Sequence, residues 1–135
     1  MTKKPAIKQG DRIVATDTHI VLVPSVTGST LTPLPHPFNG TISGNVSPNV
    51  RINGRAAAMV GSTAVNSPPH TPTPPGTSFQ TPPTNLGTIM SGSATVRVNG
   101  KPLARVGDQA QTCADPAPNL TAQLVTSGGT VLVGQ

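Results

Sequence analysis

The stretch Val50-Arg51-Ile52-Asn53-Gly54-Arg55-Ala56-Ala57-Ala58-Met59-Val60-Gly61 returns 46 residues later as Val96-Arg97-Val98-Asn99-Gly100-Lys101-Pro102-Leu103-Ala104-Arg105-Val106-Gly107. In both copies Val-Arg-Ile/Val alternates apolar and charged residues, which is the period of a half-buried strand. Asn53-Gly54 and Asn99-Gly100 follow at once. Asn-Gly is the strongest short hairpin signal, because a type I′ turn needs positive φ at both central positions. Each copy therefore reads as a small β-hairpin, with a further bend at Gly61 or Gly107.

The repetition spreads outward from these hairpins. Gly40-Thr41-Ile42-Ser43-Gly44 precedes the first copy, and Gly87-Thr88-Ile89-Met90-Ser91-Gly92 precedes the second. A third, truncated copy closes the chain as Ser127-Gly128-Gly129-Thr130-Val131-Leu132-Val133-Gly134. Gly10-Asp11 echoes Gly107-Asp108, so the amino-terminal segment supplies the missing back half of the third copy. The units then run over about 40–62, 87–108 and 125–135, the last completed by 5–20. One hairpin alone is marginal in water. Three related hairpins can bury their apolar faces against one another. The sequence predicts one all-β domain over 1–135, with a compact pseudo-threefold body; the plainer alternative is an ordinary sandwich. Two proline-rich stretches, about 23–38 and 67–86, read as loops between the copies.

Composition excludes much else. The 135 residues include 14 Gly and 16 Pro, only two Phe, and no Trp, Tyr or Glu. No window supplies strong helix formers without proline punctuation, so a helical bundle is ruled out. No apolar run approaches the roughly 20 residues of a membrane span. Met1-Thr2-Lys3-Lys4 has a signal peptide's charges without its apolar stretch, which predicts synthesis in the cytosol. The formal charge is +5, from nine basic and four acidic residues. No aromatic stacking platform accompanies it, so nucleic acid is not the expected partner.

The chain has three histidines and one cysteine: His19, His36, His70 and Cys113. A single cysteine closes no intrachain disulfide, and a small core often recruits a structural metal instead. The spacing matches no local zinc-finger pattern. Each residue, however, follows a glycine-marked unit or lies in the adjoining stretch, so a threefold body could bring all four to one end. Imidazole and thiolate suit Zn²⁺ or Fe²⁺. The residues alone leave two readings open: a shared metal site, or surface histidines and an unrelated buried thiol. Asp17 and Asp115 stand near His19 and Cys113, as outer hydrogen-bond acceptors or as turn residues. A full four-ligand set leaves no open position for catalysis, so no catalytic residue and no organic cofactor are assigned. A zinc-dependent enzyme or a small metal-binding interaction module is the alternative.

The repeats resemble the PAAR-repeat family. The resemblance rests on Pro5-Ala6-Ile7-Lys8, on Asp17-Thr18-His19, on Val50 to Gly61, on Gly92 to Asp108, and on Gly129-Thr130-Val131-Leu132-Val133-Gly134. Pro33-Leu34-Pro35-His36-Pro37-Phe38 and Pro68-Pro69-His70-Thr71-Pro72 look like a long-loop subgroup. The chain departs from the pattern at Ser62, where the second copy has Asp108. The resemblance implies a sharp cone whose hairpin base caps a trimeric, VgrG-like spike of a contractile injection machine. Such machines are type VI secretion systems or extracellular phage-tail-like particles. It implies a monomer on a C3 partner, a possible effector load, and transient contact with a target membrane. It also implies zinc, with iron possible, held near the point by His19, His36, His70 and Cys113. The expected product is a bare, non-enzymatic tip carried into or through the target envelope.

Overall fold

The computed structural model describes residues 3–126, 128–129 and 131–134; Ser127 and Thr130 of the third copy, and Gln135 after it, lie outside the described residues. It is all-β. Its strands are β1 (Lys4–Pro5), β2 (Arg12–Ser25), β3 (Gly28–Gly44), β4 (Arg51–Ile52), β5 (Arg55–Ala56), β6 (Thr63–Asn66) and β7 (Ser78–Phe79). They continue as β8 (Leu86–Ile89), β9 (Arg97–Val98), β10 (Lys101–Pro102), β11 (Gln109–Thr112), β12 (Asn119–Val125) and β13 (Leu132–Val133). No helix is long and apolar enough to cross a membrane.

Six strands pair in the order β12-β11-β8-β6-β3-β2, and β2 pairs back onto β12. The sheet thus closes on itself as an antiparallel barrel, which removes open edges. A barrel this narrow is filled by side chains. Ile42 faces Ala64 across β3 and β6, Ile89 faces Ala110 across β8 and β11, and Leu124 faces Ile13 across β12 and β2. All six are buried. Phe38 fills the space above them. A Cβ added at Gly40 would lie 2.8 Å from its ring, and one at Gly87 would lie 3.2 Å away. These two glycines are what make room for the one fully buried phenylalanine.

Below the barrel sit three two-stranded ribbons: β4-β5, β9-β10, and β13 paired with β1. Asn53, Gly54, Asn99 and Gly100 all have positive φ, at 51°, 82°, 53° and 82°. The third ribbon joins the two ends of the chain, pairing Lys4 with Val133 and Pro5 with Leu132. The ribbons are stitched together in rotation. Isolated bridges link Ala6 to Arg105, Lys8 to Ala57, and Met59 to Leu103. The amide of Ile7 donates to Ala104 O at 2.9 Å, that of Ala104 to Ala58 O at 3.0 Å, and that of Ala58 to Ile7 O at 3.0 Å. A small apolar layer of Ile52, Met59, Val98, Leu103 and Val133 packs there.

The bend after each ribbon repeats too. The backbone amides of Lys8, Met59 and Arg105 donate to the side-chain oxygens of Asp11, Ser62 and Asp108 at 3.0, 3.0 and 2.8 Å. Ser62 therefore does by hydroxyl what the two aspartates do by carboxylate. The aspartates also pair with cations, Asp11 with Lys8 Nζ at 3.3 Å and Asp108 with Arg105 Nη2 at 2.8 Å. Lys8 Nζ donates further to Thr126 Oγ1, and Arg105 Nη1 to Gly134 O, so both cations tie down the carboxy-terminal segment.

One expectation is corrected. Most of 23–38 is strand, not loop. β2 and β3 form a long hairpin in register from Arg12↔Thr41 to Ser25↔Gly28. Pro33, Pro35 and Pro37 fall on alternate residues and all are exposed. Alternate residues of an antiparallel strand share one side of the ladder, so three missing N–H groups cost no rung if that side faces away from the partner. The period-two spacing that looked like a linker is what lets these prolines live in a strand. The stretch 67–86 is mostly irregular, and β7 within it pairs with β2 at Val21 and Leu22.

The bends make a prediction. Asp11→Ala leaves the buried Lys8 ammonium without its carboxylate and should cost about 3–5 kcal/mol. Ser62→Ala at the equivalent bend removes only a neutral partner and should cost about 1–3 kcal/mol. Denaturant unfolding of the two variants beside the parent checks the difference.

Candidate metal centre

Inward positions along β2 alternate as Ile13, Ala15, Asp17, His19 and Val21, as a strand's period of two requires. The first belongs to the apolar barrel core. Higher up, the same face turns polar: Asp17 and His19 are buried, at 0% and 1% exposure. Opposite them, His36 on β3 pairs in register with Asp17. His70 comes from the irregular stretch after β6, and Cys113 follows β11 directly. Phe38 separates this polar group from the aliphatic core.

The ligand atoms of Asp17, His19, His70 and Cys113 all lie within 4.8 Å of one another. Cys113 Sγ stands 3.7 Å from His19 Nε2 and 3.7 Å from Asp17 Oδ2. His70 Nε2 is 3.5 Å from Asp17 Oδ2. It is buried and has no hydrogen-bond partner among the described residues. A buried imidazole nitrogen without a partner is costly, and one aimed at a carboxylate and a thiol is what a cation would satisfy. The donors therefore fit a metal.

Each donor is held from behind. Asp17 Oδ1 accepts from Thr112 Oγ1 at 2.5 Å and from Asn119 Nδ2 at 3.2 Å, leaving Oδ2 toward the cluster. His19 Nδ1 is 3.2 Å from Asp115 Oδ2, a carboxylate behind an imidazole whose other nitrogen faces inward. Asn66 Nδ2 lies 3.2 Å from His70 Nδ1, and Asn85 Oδ1 accepts from the His70 amide at 2.8 Å.

His36 is placed differently. Its ring lies 5.3 Å from that of His19 and 5.6 Å from that of His70, centre to centre. Its Nδ1 is 2.9 Å from Leu34 O, and its Nε2 accepts from the Thr73 amide at 3.1 Å. Both nitrogens are engaged by backbone. Asp17 stands in the cluster instead, a residue the sequence offered as an outer acceptor or a turn. The signal for it was present: Asp17 and His19 are two apart on a strand and must share a face. Phe79, packed 5.7 Å from His19 and 5.3 Å from His36, carried no such signal.

Burial pushes the imidazoles of His36 and His70 below the ordinary 6.5, against a smaller opposing pull from the Leu34 carbonyl on His36 and from Asp17 on His70. Burial also pushes the Cys113 thiol above 9.0. Burial thus favours the neutral imidazole at His36 and His70. With a metal bound, the cluster would supply nitrogen, oxygen and sulfur donors to a closed site.

Residues 79–135 match the family model described as PAAR motif. No curated protein and no solved structure matches the chain. The matched segment runs from Phe79 through the second copy and the carboxy-terminal ribbon strand, and includes Cys113. The three histidines lie outside it. The match covers the carboxy-terminal part of the chain, less than half of its length.

The lowered histidines set a pH dependence. Between their folded values and 6.5 the unfolded chain binds protons that the folded chain does not, so stability falls as pH drops below 6.5. Metal-free protein melted at pH 7.5 and at pH 5.5 should show the lower melting temperature at pH 5.5. Replacing both His36 and His70 by Gln should flatten that difference.

Proposed function

We propose that this chain is a non-enzymatic, metal-stabilised tip that caps the trimeric spike of a contractile injection machine. The PAAR motif over 79–135 supports a spike-tip role. The observation that carries the reading is the rotation of identical contacts around Ile7, Ala58 and Ala104. A monomer whose base repeats three times offers near-equivalent surfaces to each subunit of a C3 partner, which resolves the mismatch of one cap on three chains. The three repeat units then act as one PAAR-like domain, with the ribbons as its base and the long β2-β3 hairpin and its metal centre at the opposite, piercing end.

His19, His70 and Cys113 are common to the ligand set implied by the family resemblance and to the cluster in the fold. We assign the fourth place to Asp17, whose Oδ2 already faces the other donors. The resemblance assigns it to His36, which would first have to release the Thr73 amide. The metal is zinc, or iron, and its role is mechanical. It ties β2, the 67–77 stretch and the end of β11 together where little apolar core remains, so that ligation energy becomes folding energy. The chain is then made in the cytoplasm, loaded onto the particle with or without effectors, and driven into the target envelope by contraction of the sheath.

Elemental analysis of the purified protein, with melting before and after a strong chelator, tests this. One tightly held metal per chain is expected. Its removal should lower the melting temperature by about 10 °C or more, the equivalent of about 3 kcal/mol. Cys113→Ser and His70→Ala should each abolish stoichiometric binding. Asp17→Asn should do the same and His36→Gln should not; the reverse result would move the fourth place to His36. Protein that holds no metal in any preparation would end the metal-stabilised reading.

A further inference from the structure

All four aspartates of the chain have assigned contacts inside the fold. Asp11 and Asp108 pair with Lys8 and Arg105 at the bends, and Asp17 and Asp115 serve the metal centre. Seven of the nine basic residues therefore have no carboxylate among the described residues. Five of the seven, Lys4, Arg51, Arg55, Arg97 and Lys101, lie on the three ribbons of the base. The positive charge of this protein is concentrated at one end.

Three of these cations follow the rotation of the fold. Arg55, Lys101 and Lys4 occupy equivalent places on β5, β10 and β1. Each reaches over the bend glycine of a neighbouring unit. A Cβ added at Gly10 would meet Arg55 Nη1, one at Gly61 would lie 3.5 Å from Lys101 Nζ, and one at Gly107 would lie 3.4 Å from Lys4 Nζ. One cation thus stands at each junction between units. An exposed valine accompanies each ribbon: Val50 at 36%, Val96 at 38% and Val131 at 38%.

We propose that the base is an electrostatic socket for a threefold-symmetric protein end that carries one carboxylate per subunit. Arg55, Lys101 and Lys4 each receive one of those carboxylates, while Val50, Val96 and Val131 supply apolar contact between them. This rests on the spike-cap reading and names the chemistry of that interface. The arrangement favours a protein over a polyanion. Nucleic acid calls for a stripe of cations with stacking aromatics, and these cations are set apart around an axis and interleaved with aliphatic side chains. Complementary charge of this kind speeds docking and selects the partner more than it adds raw affinity.

The test uses the full chain and the trimeric spike protein of its own machine, with binding measured across a salt series. The parent should bind one chain per trimer. The triple variant Lys4→Gln, Arg55→Gln, Lys101→Gln should bind about ten- to a hundredfold more weakly at 50 mM salt. The gap should close to about threefold or less at 1 M salt, where the screening length is about 3 Å. Arg12→Gln, a cation on the barrel wall, should bind like the parent. Melting of each variant separates lost binding from lost folding, and Lys101→Glu alone provides a milder disturbance that should still weaken binding. If the parent binds and the triple variant matches it at every salt concentration, the socket is wrong and the cap reading stands. If the parent binds no spike at any salt, the cap reading itself falls. If duplex DNA or vesicles of anionic lipid compete as well as the spike does, the charge is an unspecific patch and the socket is again wrong.

Discussion

Ile7, Ala58 and Ala104 have no exposed surface, and their amides and carbonyls close a ring of three backbone hydrogen bonds. Much of the remaining structure depends on this closure. Each of the three residues belongs to a different copy, so the ring forms only when all three copies are in place. Its members are small or β-branched and aliphatic because three segments of the chain converge there, and a larger group at Ala58 or Ala104 would push the carbonyls apart. Buried backbone groups must find partners, and here the only partners on offer are the other two copies. The ring makes three marginal ribbons into one base.

From that base the chain rises into a closed barrel, and the barrel explains how so few large side chains suffice. Closure satisfies the backbone of the six strands within the barrel, where they have no edge to protect; the upper part of β3 pairs with β2 alone. The interior is narrow enough for two Ile–Ala pairings, one Leu–Ile pairing and one phenylalanine. Gly40 and Gly87 leave the ring of Phe38 its space, and beyond that ring the inward face of β2 turns polar at Asp17 and His19 before returning to aliphatic at Val21. The polar group of Asp17, His19, His70 and Cys113 begins where the apolar core ends. A metal there would be cohesive in a place where burial of carbon cannot be.

The third copy shows how a repeat survives being cut. Its strands come from opposite chain ends, and no Asn-Gly turn joins β13 to β1. Lys8 and Arg105 make up for the missing connection, each pairing with an aspartate at a bend while also binding the carboxy-terminal segment. The uncut first copy has Met59 and Ser62 in those places and no ion pair. The charged residues that remain unpaired gather on the ribbons, so the two ends of the molecule differ in chemistry as well as in shape.

Much of this was legible in the residues. The 46-residue offset and the two Asn-Gly turns specify ribbons, because positive φ at two successive positions is a local demand that few dipeptides meet. The circular order followed from Gly10-Asp11 repeating Gly107-Asp108. His19, His70 and Cys113 could be named as candidate donors because the chain has so few of either type. Three things needed the tertiary structure. The prolines of 33–37 lie in a strand, since only the register with β2 shows that their missing N–H groups cost no rung. Asp17 joins the cluster and His36 binds backbone on both sides, since the orientation of a ring depends on neighbours distant in sequence, here Leu34 and Thr73. The strand pairing that closes β2 onto β12 also lies beyond local pattern, because it joins residues more than a hundred apart, Arg12 with Val125 and Val14 with Gln123.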